Sequence, residues 1–363
     1  MTGGSELSSY LIDECGHGGD LASARALDFS GQPVFALACI GAPDPAMLAG
    51  ELERLRRVHG CGPGELKSTM ARLPQFTIDL ASFLKRNHCP IFIELVDKRF
   101  FIAAHIVNHL LCGGLNVDAV PMPVRNAIAE FLTDEALEPV FLDYLTLCRD
   151  PAIGGVRQIL DCLWERLDTS DDDIARLTQY LTMEARDRAL SVSAELADFL
   201  PLHDQTEAGR KVWILPNLQS LTNIYARINQ SRPLGLNGAT LIHGVQLQYG
   251  SILSGAKVQI EQLAELGAIP PMPFADYRLS GRAEMRFETA AREPCLQAAD
   301  ILAGCAMRFA REAGAARVGK AAVMRDAFFA LLALSRPERA EGVNLVFTYR
   351  TLARMGVPVH DMR

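Results

Sequence analysis

The pattern of apolar and polar positions changes along the chain. In the first hundred residues SSYLID, VFALACIG and PIFIELVD are apolar runs bounded by Gly, Pro or polar clusters, and each predicts a strand. Between the second and third, AMLAGELERLRRVHG and PQFTIDLASFLKRNH space their apolar residues at the helical period. Asp44-Pro45 opens the first of these helices and Gly60 closes it. The helical pattern then continues through FIAAHIVNHLL, VRNAIAEFLTDEALEPVFLDYLTLC, VRQILDCLWERL and DDDIARLTQYLTMEARDRALSVSAELADFL. The aspartates at 171–173 suit the positive end of a helix macrodipole. Strand-like GATLIHGV and EMRFET follow, then the helix CLQAADILAGCAMRFAREAG and two more C-terminal helices. Strands on either side of a helical block predict an α/β core carrying a helical insertion. The expected division is a core at 1–98 and 212–312, an insertion at 99–211 and a C-terminal helical extension at 313–363.

Composition narrows the class. The chain has 363 residues, is 49% hydrophobic and 22% charged, and so belongs with ordinary globular proteins. Nine cysteines, an odd number never spaced as CxxC, argue against a secreted disulfide framework and for a reducing, cytoplasmic location. MTGGSELSS lacks the basic and apolar regions of a signal peptide, and no apolar run approaches the roughly eighteen residues of a membrane span. No membrane association is expected.

The formal balance of −7 speaks against a protein that holds nucleic acid by bulk charge. It is unevenly placed: Phe131 to Glu207 carries −11, which leaves the rest of the chain at +4. Two basic flanks contain Arg54, Arg56, Arg57, Lys67, Arg72, Lys85 and Arg86, and Arg308, Arg311, Arg317 and Lys320. They could follow a phosphate backbone.

Three short segments could carry chemistry. YLIDECGHGG ends an apolar run in Asp13-Glu14 and then breaks into glycines, which places two carboxylates at the C-terminal mouth of a strand, where open α/β sheets hold ligands. Such oxygens suit a hard divalent cation, although a turn carboxylate would read the same way. In PGELKSTM, alternation along an extended segment aims Glu65 and Lys67 the same way, as a metal or phosphate pair or as a surface ion pair. In EPCLQAADILAG, Gln297 and Asp300 share a helical stripe otherwise made of Ala, Leu and Ile. A carboxylate placed there calls for a partner. His105, His109 and Cys112 fall on one helix at a spacing that could ligate zinc, yet without a fourth ligand packing is the expected role.

Together LIDECG, GELKS, IELVDK and CLQAADILAG resemble the domain-of-unknown-function family 3800, of the ribonuclease-H-like superfamily. The resemblance covers the α/β core and leaves the insertion and the last fifty or so residues outside it. It implies a mixed sheet with helices on both sides and an acidic Mg2+ or Mn2+ site for phosphodiester chemistry on RNA or DNA. It also implies roles for Asp13, Glu65 and Asp300 in catalysis and metal binding, with Glu14 as a further acid and Lys67 and Gln297 toward substrate. The chain departs from the family pattern in two places. Cys15 replaces a serine, and LIHGVQLQYG offers His243 or Gly244 where a further carboxylate is expected. His243 would suit Mn2+ or Zn2+ better than Mg2+, or Glu14 or Asp97 would fill the gap, or the enzyme is weakened. Asp97 itself is expected to be a strand-end residue beside Lys98 and Arg99. The alternative class is a catalytically silent protein that binds a partner protein through its acidic insertion, or associates with itself.

Overall fold

The computed structural model describes residues 9–113, 119–167, 172–267 and 277–358. The first eight residues, with the expected lack of a leader, and Asp171 of the aspartate run lie outside them. The chain is α/β and forms two compact units, one of residues 1–18, 34–95 and 217–345, the other of 19–33, 96–216 and 346–363.

The first unit is built on a six-stranded mixed sheet in the order β7-β6-β1-β2-β3-β8. Its strands are β1 (Ser9–Cys15), β2 (Val34–Ala42), β3 (Ile91–Asp97), β6 (Thr240–Gly244), β7 (Glu284–Glu288) and β8 (Gly342–Val346). β1 runs antiparallel to β2 and parallel to β6, which is parallel to β7. Every residue of VFALACIGA in β2 is buried, because an interior strand covered on both faces has no polar side to show. β7 lies at an edge and alternates, with Glu284, Arg286 and Glu288 on one face and Met285 and Phe287 on the other.

Helices cover both faces. α1 (Pro45–Val58), α2 (Leu73–Arg86), α10 (Leu296–Gly314) and α11 (Val318–Leu332) form one layer, with α10 packed on β1 and β2. Nearly all of α10 is buried, as its small-residue sequence AADILAGCA permits. α8 (Pro216–Ser231) and α9 (Gly250–Glu265) supply the other layer, where Leu221, Tyr225, Leu241, Lys257, Ile260 and Met285 line a small apolar cavity. On that side Glu94 of β3 is wholly buried and accepts from Arg227 at 2.7 Å and Asn344 at 2.6 Å. Arg227 also donates to the carbonyls of Ala340 and Gly342, and so holds the chain entering β8.

The second unit is helical: α3 (Lys98–His105), a π-helical turn (Ile106–Leu111), α4 (Met122–Leu132), α5 (Glu138–Arg149), α6 (Ile153–Leu167), α7 (Asp173–Leu190) and α12 (Tyr349–Met355). A two-residue ribbon pairs β4 (Asp204–Gln205) with β5 (Lys211–Val212). The flanking segments are knitted in by hydrogen bonds. Asp20 accepts from Trp213 N at 3.1 Å, and Glu130 accepts from the amides of Tyr349 and Arg350 at 3.0 and 3.1 Å. Asp172 caps α7.

This division differs from the expected one at both ends. The helical unit draws in 19–33 and the last segment as well as the central block. Residues 313–345 do not form an independent helical extension, because α11 packs on α10 and α2 and β8 joins the sheet. Among the described residues no helix is long and apolar enough to cross a membrane. All nine cysteines are free; Cys39, Cys89, Cys112, Cys148, Cys295 and Cys305 are buried, and Cys15, Cys61 and Cys162 are half-buried.

Candidate functional site

Asp13 lies near the C-terminal end of β1, on the α10 side of the sheet. Its carboxylate is pushed up to about 7, chiefly by burial and further by the nearby charges of Asp300 and Glu14, while the Glu14 amide and the Lys67 ammonium pull the other way. Asp13 Oδ1 accepts from Glu14 N at 2.9 Å. It also leans over β6: a Cβ on Gly244 would lie 2.7 Å from that oxygen.

The one-residue ambiguity in LIHGV is thereby resolved. Ile12 pairs with His243, so the residue beside Asp13 on the same face is Gly244. His243, expected as a metal ligand, points to the opposite face. There its ring lies 5.6 Å from Phe287 and its Nδ1 is 2.8 Å from the Gly244 carbonyl. Burial holds its imidazole down to about 4, so it is neutral and far from acting with Asp13. The alternation of side chains across a strand separates the two.

The ELK segment and the α10 stripe meet. Gln297 Oε1 accepts from Leu66 N at 2.6 Å, and Asp300 accepts from Ser68 N at 2.8 Å and Ser68 Oγ at 2.9 Å. Arg308 donates to the Ser68 carbonyl from two turns further along α10. Gly304 makes this approach possible, since a Cβ there would fall 2.1 Å from Ser68 Cβ. The half-buried Asp300 and the buried Gln297 thus clamp the 65–68 loop onto the helix. Gln297, expected toward substrate, is buried and its oxygen is engaged in this clamp. Glu65 and Lys67 are exposed and pair with each other at 2.5 Å. Lys67 is near enough to Asp13 and Asp300 for their charges to act on it.

The other expected positions have plainer places. Asp97 caps α3, accepting from the amides of Arg99 and Phe100 at 2.9 and 3.2 Å. The rings of His105 and His109 stack 5.5 Å apart, with Phe101 edge-on to His105. Several of the basic residues expected to guide a phosphate backbone are already engaged. Arg54 binds Glu51, Arg56 binds Glu53, and Arg311 and Arg317 share Glu312. Arg72, Lys85, Arg86 and Lys320 are exposed.

Among the described residues, no three His, Cys, Asp or Glu side chains already converge at metal-holding distances. The donor chemistry nevertheless suits a hard cation, because Asp13 and Asp300 bring carboxylate oxygens to one strand mouth, close enough for the Asp300 charge to act on Asp13. The Asp13 carboxylate itself fills the space that the missing side chain of Gly244 leaves. No protein-family model, no curated protein and no solved structure matches the chain.

Proposed function

We propose that the chain is a metal-dependent nuclease or related phosphodiesterase with a ribonuclease-H-like core, in which Asp13 and Asp300 hold Mg2+ or Mn2+. The observation that carries this is Asp13, a largely buried carboxylate at the mouth of an interior strand, shifted to about 7 with Asp300 and Glu14 as like-charged neighbours. A mixed sheet with helices on both faces and the motif resemblance support it. When bound, the cation would supply an activated water and charge stabilisation at the scissile phosphate. The chain itself holds the 65–68 loop through Asp300 and Gln297, and keeps the Lys67 ammonium near the Asp13 and Asp300 carboxylates to meet a phosphate oxygen. Exposed Arg72, Lys85, Arg86 and Lys320 are among the basic side chains left to follow RNA or DNA.

The test is incubation of the pure protein with RNA, DNA and hybrid substrates in Mg2+ and in Mn2+. Cleavage that Asp13→Asn abolishes is the expected result. Absence of cleavage in both metals, or cleavage indifferent to Asp13→Asn, overturns the proposal. A second class, a silent protein that binds a partner protein, is favoured by α7, where Tyr180, Met183 and Leu190 are exposed on the acidic segment. It requires calorimetry with Mn2+ to show no heat of binding.

A further inference from the structure

Asp300, Gly304 and Arg308 follow one another at four-residue steps and form a single stripe of α10, across which the 65–68 loop lies. Ser68 joins the two ends of the stripe: its amide and hydroxyl donate to Asp300, and its carbonyl accepts from Arg308 Nη1. Helical side chains lean toward the N-terminus, so the Arg308 guanidinium reaches back over Gly304, which has no side chain to block it. Cys15 fixes the place from the sheet side. It lies two residues beyond Asp13 on the same face of β1, is hydrogen-bonded to Ser68, and feels the charges of both Asp300 and Arg308. The guanidinium therefore stands at the strand mouth where Asp13 and Asp300 meet.

Resting on the nuclease reading above, we infer that Arg308 is a substrate-binding residue, the docking point for a phosphate of the nucleic-acid strand beside the candidate site. Its surroundings set it apart from the other basic residues of the two flanks. Arg54, Arg56, Arg311 and Arg317 are matched by Glu51, Glu53 and Glu312, and Arg57, Lys67, Arg72, Lys85, Arg86 and Lys320 are exposed. Arg308 alone among them is half-buried with a neutral partner, and among the described residues no carboxylate pairs with it. Withdrawing a guanidinium from water toward a carbonyl costs free energy that a matched anion restores. A guanidinium carries five N–H donors, so the bond to Ser68 leaves enough for a two-point contact with phosphate oxygens. That same bond holds the fork in one orientation before any ligand arrives.

The experiment is binding of fluorescent single-stranded RNA and DNA oligonucleotides to the full chain, read by anisotropy in chelator over a series of salt concentrations. Arg308→Gln keeps a donor for the Ser68 carbonyl and loses the charge, Arg308→Lys keeps the charge and loses the fork, and Arg325→Ala is a charge control at an exposed position of α11. Melting curves check that each variant folds, and two substitutions at 308 guard against one that does not. Arg308→Gln is expected to bind at least about tenfold more weakly, as the loss of a charge-assisted hydrogen bond implies. It should also lower the slope of log affinity against log salt by about 0.7, the share of one phosphate contact on a single strand. Arg308→Lys should recover that slope and part of the affinity, and Arg325→Ala should stay within about twofold of wild type. Wild-type affinity in Arg308→Gln, or no binding by wild type, overturns the assignment. Weakening with an unchanged slope also overturns it, leaving Arg308 a clamp for the loop, and equal weakening by Arg325→Ala reduces the effect to net charge. If the expected pattern appears and nothing is cleaved in Mg2+ or Mn2+, the phosphate contact stands and the nuclease reading alone falls.

Discussion

At the scale of single residues, Asp13 is one of the buried groups that make the stability of the fold depend on pH. An aspartate raised from 3.8 to about 7 binds its proton more tightly in the native state than in the unfolded one. Its contribution is therefore fully favourable below 3.8 and is lost as pH rises toward 7, at no more than about 1.4 kcal/mol per pH unit over that window. Asp13→Asn, which is neutral at every pH, should gain on wild type across the same window and hold a constant lead above it. Melting temperatures at pH 4, 6 and 8 measure this directly; a lead that does not grow with pH contradicts it. The sequence singled out Asp13, Glu65, Lys67, Gln297 and Asp300 because strand ends and helical stripes are local patterns, and the fold sets these residues in one neighbourhood. It did not distinguish a ligand from a clamp, since nothing local shows that Asp300 meets the amide and hydroxyl of Ser68. Nor could it decide between His243 and Gly244. The face on which each lies depends on inter-strand register, which is a property of pairs of segments.

Among the elements, α10 and the loop it clamps depend on one missing side chain. Gly304→Ala places a methyl group 2.1 Å from Ser68 Cβ on a buried helix face, so the loop must lift. A loss of about 1–3 kcal/mol is expected by denaturant titration, with the amides of Leu66 and Ser68 losing hydrogen-exchange protection first. A variant as stable as wild type, with protection intact, would show that the loop has room to give. On the opposite face, Arg227 and Glu94 are 8% and 1% exposed at the side chain. Arg227→Met strands the glutamate and is expected to cost about 3–5 kcal/mol, whereas replacing both partners with apolar residues should cost clearly less. Equal losses in the single and double variants would contradict this. The strands β1, β2, β3, β6 and β7 and the helices α1, α2 and α10 were legible because each buries a periodic or continuous apolar run. β8 was not: GVNLV is short, only its first residue is fully buried, and its attachment comes from Arg227 and Asn344 through contacts more than a hundred residues distant in sequence.

For the whole molecule, charge and architecture coincide. The −11 segment from Phe131 to Glu207 falls inside the helical unit, so the sheet unit carrying the candidate site is spared most of the acidic excess. The sequence showed this imbalance but placed the boundaries too simply. Segments 19–33 and 346–358 join the helical unit through backbone and capping bonds that leave no mark in hydrophobic periodicity. The thiols turn the two-unit architecture into something that can be timed. Burial pushes Cys89 up to about 11 and Cys148, Cys295 and Cys305 up to about 12, so few thiolates exist for a reagent to find. In native buffer an alkylating agent should consume Cys61 and Cys162 quickly and Cys15 more slowly, because burial and the nearby Asp300 charge raise its thiol, and should then wait on opening of the fold. Cys39, Cys89, Cys295 and Cys305 report from the sheet unit, and Cys112 and Cys148 from the helical unit. Mass spectrometry of the labelled peptides should resolve two slow rates, and a single fast phase for all nine thiols would contradict the burial described above. With no engineered probe, the protein carries a separate clock for the breathing of each half, and the lag between them measures which half opens first.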